Sequence, residues 1–318
     1  MIEVSDVQDA ARRIAGHVRR TPVMRLDLAA FVPQDPGVAG TMWWKLEHTQ
    51  HTGSFKARGA FNRILAAFEA DELPEAGIVA ASGGNAGLAF AYAASQVGAK
   101  AEVYVPETAP AVKVARLRAL GATVVQVGVK YADAYEAAIK RQEDTGALFC
   151  HPYDQPEMCA GAGTIALELM EQTKGEIDTV LVAVGGGGLI AGVATALDGR
   201  AEVVSVEPHN APTLNAALQA GKPVHVEVSG VAADALGASR LGEIPYAAVT
   251  RAGVRSVLVT DETISATRRR LWEEYRLVVE PSGATAAAAL ASGAYRPAEG
   301  ERVAVLLCGA NTSPDDLA

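Results

Sequence analysis

The sequence predicts an α/β protein in which parallel sheets are covered by helices on both faces and divided between two lobes. Two patterns carry this reading. β-branched apolar runs alternate with alanine-rich helical runs along most of the chain. Two long uncharged stretches, 77–99 and 179–197, each break at a glycine cluster, Gly83-Gly84 in the first and Gly185 to Gly188 in the second. With 318 residues, 49% of them hydrophobic and 20% charged, the chain can bury a sizeable core, and general disorder is excluded.

Taken in order, a strand at 42–47 precedes a polar, glycine-containing segment and a helical run at 61–70. Three compact strand–helix units follow: 77–81 with 86–97, 101–105 with 111–120, and 123–127 with 132–143. These make residues 77–149 a small lobe, with a boundary near His151-Pro152, and leave 1–76 and 150–318 to the large one. A helix at 160–172 then leads to a strand at 179–184, a helix at 189–197 and a strand at 202–207. The chain finishes with a strand at 256–260, helices at 262–274 and 284–291, and a strand at 303–308. Both uncharged stretches are long enough to span a bilayer. Each, however, reads as a buried strand, a tight loop and a helix, so no membrane segment is expected.

A net charge of −9 gives no field that would favour nucleic acid or an anionic membrane. The N-terminus carries Glu3 and Asp6 and no long apolar run, unlike a signal or transit peptide. The three cysteines, Cys150, Cys159 and Cys308, form no CxxC and leave one over in any pairing, which points to a reduced, cytoplasmic chain.

Ligands of α/β proteins sit at the carboxyl ends of strands, and four segments there carry polar or glycine-rich chemistry. Gly185, Gly186, Gly187 and Gly188 present successive backbone amides at a helix start, a cradle for phosphate, although a tight βα turn would also use glycine. Gly186, Gly188 and Ala191, with Glu207 ending the next strand, also fit a loose dinucleotide pattern. Lys56, between Phe55 and Ala57, is either a nucleophilic amine of lowered pKa or a solvated lysine at a helix start. Ser82, Gly83, Gly84 and Asn85 suit a carboxylate or a phenolic oxygen, or serve as a helix cap. Cys308 either meets a ring nitrogen or is a core cysteine.

Together, and in this order, the four segments resemble the pyridoxal-phosphate (PLP) enzymes of the tryptophan-synthase-β fold, in their serine/threonine dehydratase and serine racemase branch. The likeness runs over essentially the whole chain. It implies two open, twisted, mostly parallel sheets, a large cofactor domain and a smaller mobile domain, with PLP in the cleft between them. It further implies that Lys56 forms the Schiff base, Phe55 lies near the cofactor ring, Gly185 to Gly188 hold the phosphate, Asn85 bonds the 3′-oxygen and Cys308 faces the pyridine nitrogen. Ser82, Gly83 and Asn85 would bind the substrate carboxylate.

Three positions depart from the family pattern. Gly83 stands where racemising relatives carry serine, and Ala86 where a histidine is usual. A divalent cation is often held in this branch by a Glu, a backbone carbonyl and an Asp. Glu207 and Ala211 match the first two, but Thr213 replaces the Asp, so no divalent metal is expected. The chain ends ten residues after Cys308, which implies no appended regulatory domain. The expected activity is β-elimination from L-serine or L-threonine, giving ammonia and a 2-oxo acid. The expected partners are a small amino-acid substrate and a second copy in a homodimer. Racemisation, β-replacement, 3-hydroxyaspartate as substrate, and a non-catalytic PLP-binding or sensing role stand as alternatives.

Overall fold

The computed structural model describes residues 1–32, 38–313 and 315. Its strands are β1 (Val23–Asp27), β2 (Thr41–Lys45), β3 (Ile78–Ala81), β4 (Ala101–Val105) and β5 (Thr123–Gln126), then β6 (Leu148–Phe149), β7 (Thr179–Ala183), β8 (Glu202–Pro208), β9 (Arg255–Val259) and β10 (Arg302–Leu306). The helices are α1 (Val4–Arg13), α2 (Lys56–Glu69), α3 (Asn85–Gln96), α4 (Ala111–Ala119), α5 (Tyr131–Thr145) and α6 (Pro156–Gln172). They continue with α7 (Gly188–Leu197), α8 (Thr213–Ala220), α9 (Ala233–Leu236), α10 (Glu243–Ala252), α11 (Asp261–Tyr275) and α12 (Pro281–Ser292).

Every strand and helix expected from the sequence is present, most with shifted ends and β4 at the bounds expected. Two shifts matter for the site. Helix α2 begins at Lys56, five residues earlier than expected, so the lysine lies in the first helical turn. Strand β10 stops at Leu306, which leaves Cys308 in the loop beyond its carboxyl end. The sequence reading missed α1, β1, β6, α8, α9 and α10. Strand β6 has two residues, too few for any period to register.

One sheet has the order β1-β2-β10-β7-β8-β9, parallel apart from the antiparallel β1–β2 pair; the other has the order β5-β4-β3-β6 and is parallel throughout. The central strands β3 and β7 are buried along their whole length, as strands covered on both faces must be. The apolar cluster of the four-stranded sheet draws in Ala57, Ala60, Phe61 and Ile64 of α2, together with Ile14. Helix α2 therefore packs against α3, which lies on the smaller sheet, while also lying on α6.

Beneath α2 lies a buried ionic cluster. The Arg58 guanidinium donates to both oxygens of Glu47, at 2.9 and 2.7 Å, and to Glu168 Oε2 at 2.9 Å. The fully buried Lys45 also pairs with Glu168. These contacts lock the first turn of α2 to α6 and to the loop after β2, two residues from Lys56.

Candidate active site

Lys56, Phe55, Asn85, Cys308 and all of Gly185 to Gly188 line one cavity, into which β7 and β10 point their carboxyl ends. Tyr153, Leu236, Glu280 and Ser282 also line it. Ser82 and Gly83 are not among its lining residues; they lie just after β3 and before Asn85, and are half-buried.

Helix α2 carries Lys56 at its start, and the Phe55 amide donates to the Cys308 carbonyl at 3.1 Å, which joins the two loops. The Lys56 amine donates to the Pro152 carbonyl at 2.6 Å and sits 5.0 Å from the Phe55 ring centroid. Burial lowers its pKa to about 8, although the thiols of Cys159 and Cys308 pull the other way. A solvated surface lysine would not behave so.

At the end of β7 the chain admits no side chains. A Cβ on Gly186 would sit 2.3 Å from the Tyr153 ring, and one on Gly185 would lie 2.9 Å from the Leu236 Cα. Gly187 has φ +93°, a left-handed conformation that favours glycine. Among the described residues, the amides of Gly186, Gly187 and Gly188 have no intramolecular acceptor, and they stand at the N-terminus of α7. Open amides on a positive helix end fit an anion of phosphate size.

Asn85 opens α3. Its Nδ2 donates to Glu280 Oε1 at 2.7 Å, and its Oδ1 accepts from Asn311 Nδ2 at 2.5 Å, which leaves one N–H for a ligand oxygen. Glu280 also accepts from Ser282 Oγ at 2.6 Å and from the Asn311 amide at 3.0 Å, and burial raises its pKa. Glu280 and Tyr153 were invisible to sequence reasoning, since neither lies in a glycine-rich or strand-end motif.

Cys308 donates its thiol to the Ser282 carbonyl at 3.6 Å, and burial pushes its pKa up to about 12. The thiol is thus neutral, and it is both a core residue and part of the cavity. Cys150, Cys159 and Cys308 are all free. Ser82 Oγ accepts from the Gly84 amide at 3.3 Å, so it shapes the turn before α3 rather than capping the helix.

Glu207 is fully buried on β8, with its pKa pushed up by burial to about 7. Its oxygens accept from the amides of Leu214 and Asn215 at 2.7 and 2.8 Å. It is therefore committed to α8 and does not serve as a ribose-binding acid, and the dinucleotide pattern gives way to the lysine-centred cavity. Among the described residues, no three His, Cys, Asp or Glu side chains gather as a metal site. No helix among them is long and apolar enough to cross a membrane.

The chain is 36% identical over 314 residues to an L-threonine ammonia-lyase of Thermotoga maritima, covering 98% of this chain and 76% of that one. It is 37% identical over 313 residues to a phenylserine dehydratase of Ralstonia pickettii, covering 98% and 93%. Among solved structures it resembles maize serine racemase, with TM-score 0.90 and 32% identity over 99% and 95% of the two chains. It also resembles the processed form of threonine deaminase isoform 2 from Solanum lycopersicum, with TM-score 0.88 and 31% identity over 98% and 85%. The model of the pyridoxal-phosphate dependent enzymes matches residues 14–309, from just after α1 to the loop after β10, and the chain belongs to that family.

Proposed function

We propose that this chain removes water from L-serine or L-threonine by PLP-dependent β-elimination, releasing ammonia and a 2-oxo acid. The observation that carries the reading is the Lys56 amine, enclosed and of lowered pKa, on a cavity that also holds a bare glycine loop. The residues fit the cofactor. The amides of Gly186 to Gly188 would hold its phosphate, Asn85 its phenolic oxygen, and Cys308 would face its ring nitrogen. When bound, PLP withdraws electrons from the α-carbon of an amino acid joined to it, which acidifies the α-proton.

Lys56 then serves as the base for that proton, because a depressed pKa leaves a useful neutral fraction near pH 7. Pro152, a neutral carbonyl, orients the amine without holding it charged. The neutral Cys308 thiol would give the ring nitrogen no anionic partner to keep it protonated, which favours prompt loss of the β-hydroxyl over reprotonation or transamination. The α-proton and the hydroxyl leave together as water. The released enamine takes up water and yields the 2-oxo acid and ammonia. Ser82 and the turn after it would bind the substrate carboxylate.

The test is a panel of L-serine, L-threonine, threo-3-hydroxyaspartate and phenylserine, scored by 2-oxo acid and ammonia. Equal release of both products from serine or threonine is expected. PLP uptake with no product from any of them would leave a cofactor-binding protein and end the lyase reading. We further read residues 77–149 as the smaller domain and 1–76 with 150–318 as the larger, supported by the four-stranded sheet lying within 78–149. The unpaired cysteines support a cytoplasmic setting. A homodimer that works without divalent metal completes the proposal, to be checked by light scattering and by assay in EDTA.

A further inference from the structure

Thr213, fully buried at the first position of α8, makes a contact that the reaction as described does not use. Its hydroxyl donates to the carbonyl of Gly185 at 2.5 Å, on the first residue of the glycine loop. A carbonyl only accepts, so the single hydroxyl proton is committed there. Glu207 Oε1 lies 3.2 Å from the same hydroxyl oxygen while both carboxylate oxygens accept amides from the first turn of α8. The residues present do not fit a hard divalent cation, which needs several free oxygens. Here the one carboxylate is already engaged, and the side chain beside it is a hydroxyl turned toward the loop.

We propose that Thr213 is a positioning residue for the phosphate loop: its hydroxyl pins the Gly185 carbonyl, so that the following amides keep pointing into the cavity without help from a metal ion. The inference rests on the proposed role of Gly185 to Gly188 in holding the PLP phosphate. Gly185 has no side chain with which neighbours can grip it; Val206 holds the Val184 amide and the Gly242 amide holds the Gly186 carbonyl, whereas the peptide between Gly185 and Gly186 is held by Thr213. A single buried hydrogen bond on its carbonyl is therefore a large part of what fixes the peptide plane leading to Gly186.

The experiment measures the PLP dissociation constant of the holoenzyme by equilibrium dialysis for the wild type, T213S, T213A and T213V. The melting temperature of each is recorded beside it. T213S and T213A differ by one oxygen, and T213V keeps the volume without the hydroxyl. T213A and T213V are expected to bind PLP about tenfold more weakly, the factor set by losing one hydrogen bond of ~1.4 kcal/mol. T213S should stay within about twofold of the wild type, and wild-type binding should not change in EDTA. Equal affinity for T213S and T213A, even with lowered melting temperatures, would make Thr213 merely structural and overturn the proposal. So would loss of wild-type PLP binding in EDTA, since a metal would then be doing the pinning. A wild type that takes up no PLP at all overturns both this inference and the function on which it rests.

Discussion

The Lys56 amine and the Pro152 carbonyl, 2.6 Å apart, join the start of α2 to the segment that leaves β6 for α6. Residues 96 positions apart thus set the reactive nitrogen. The partner is uncharged, so burial dominates, and the amine's pKa falls to about 8. A carboxylate at that place would have raised it and made the neutral fraction at neutral pH far smaller.

Removing that amine should abolish turnover. Lys56→Ala is expected to lower 2-oxo acid release by at least ~10³-fold, because the covalent anchor and the base are lost together. The wild type should show a visible absorbance band that borohydride bleaches while fixing the cofactor to the Lys56 peptide. A band of equal strength fixed elsewhere in Lys56→Ala would remove Lys56 from its role.

The pH dependence of cofactor uptake follows from the same shift. Only the neutral amine attacks an aldehyde, so uptake of PLP by the apoprotein should rise with pH and level off above about 8. The stability sign can be worked out as well. Folding lowers this lysine's pKa from 10.5, so between about 8 and 10.5 the unfolded chain binds more protons and stability rises with pH. Lys56→Met should therefore raise the apoprotein's melting temperature at pH 7, by an amount that shrinks as pH climbs through that window.

Under the proposed function, Gly83 would leave the α-carbon without a proton donor on the face opposite Lys56. Its φ is not in the left-handed region, and an added Cβ would lie 3.5 Å from Val105 Cγ1, an ordinary contact. Neither backbone nor space requires glycine, so Gly83→Ser should fold normally. Racemisation needs a proton donor on the second face, and a positioned group is worth ~10²–10⁴-fold. Chiral chromatography should find pyruvate well ahead of D-serine in the wild type and a larger D-serine share in Gly83→Ser. D-serine appearing as fast as pyruvate in the wild type would count against the lyase.

Arg58 holds Glu47 ionised in the interior. Burial alone would raise the Glu47 pKa, but the Arg58 charge and its hydrogen bonds outweigh it and bring it below the usual value. Arg58→Ala would strip the buried Glu47 carboxylate of its guanidinium and leave it the Thr21 hydroxyl and the nearby Lys45 charge, a change that costs up to about 3–5 kcal/mol. Because the Glu47 pKa is depressed on folding, the stability it contributes is present at neutral pH and is lost as pH falls through its folded value. Denaturant titrations of wild type and variant at neutral and acid pH should converge on acidification.

Much of this molecule is legible locally. The β-branched run 180–184, the four glycines after it and the alanine-rich helix beyond describe a buried strand, a cradle and a helix from neighbouring residues alone. Lys56 and Asn85 stand out for the same reason, each at a glycine-flanked helix start. Strands β6 and β1 and helix α9 escaped because two to five residues carry too little periodicity to rise above noise, whereas α1, α8 and α10, of eight to ten residues, were simply not picked out.

What the tertiary structure alone decided is which distant groups meet. Placing β10 between β2 and β7 carries Cys308 to the backbone of Phe55 and so beside Lys56. Asn85 finds Glu280, 195 residues away, and Thr213 finds the Gly185 carbonyl across 28. Hydrogen-bond partners and desolvation depend on strand order and burial, and no local window of sequence contains either. Composition, period and glycine placement determined the kind of fold, and the resemblance of the four segments singled out Lys56. Packing determined that the amine is enclosed, how Asn85 is turned, and what holds the glycine loop.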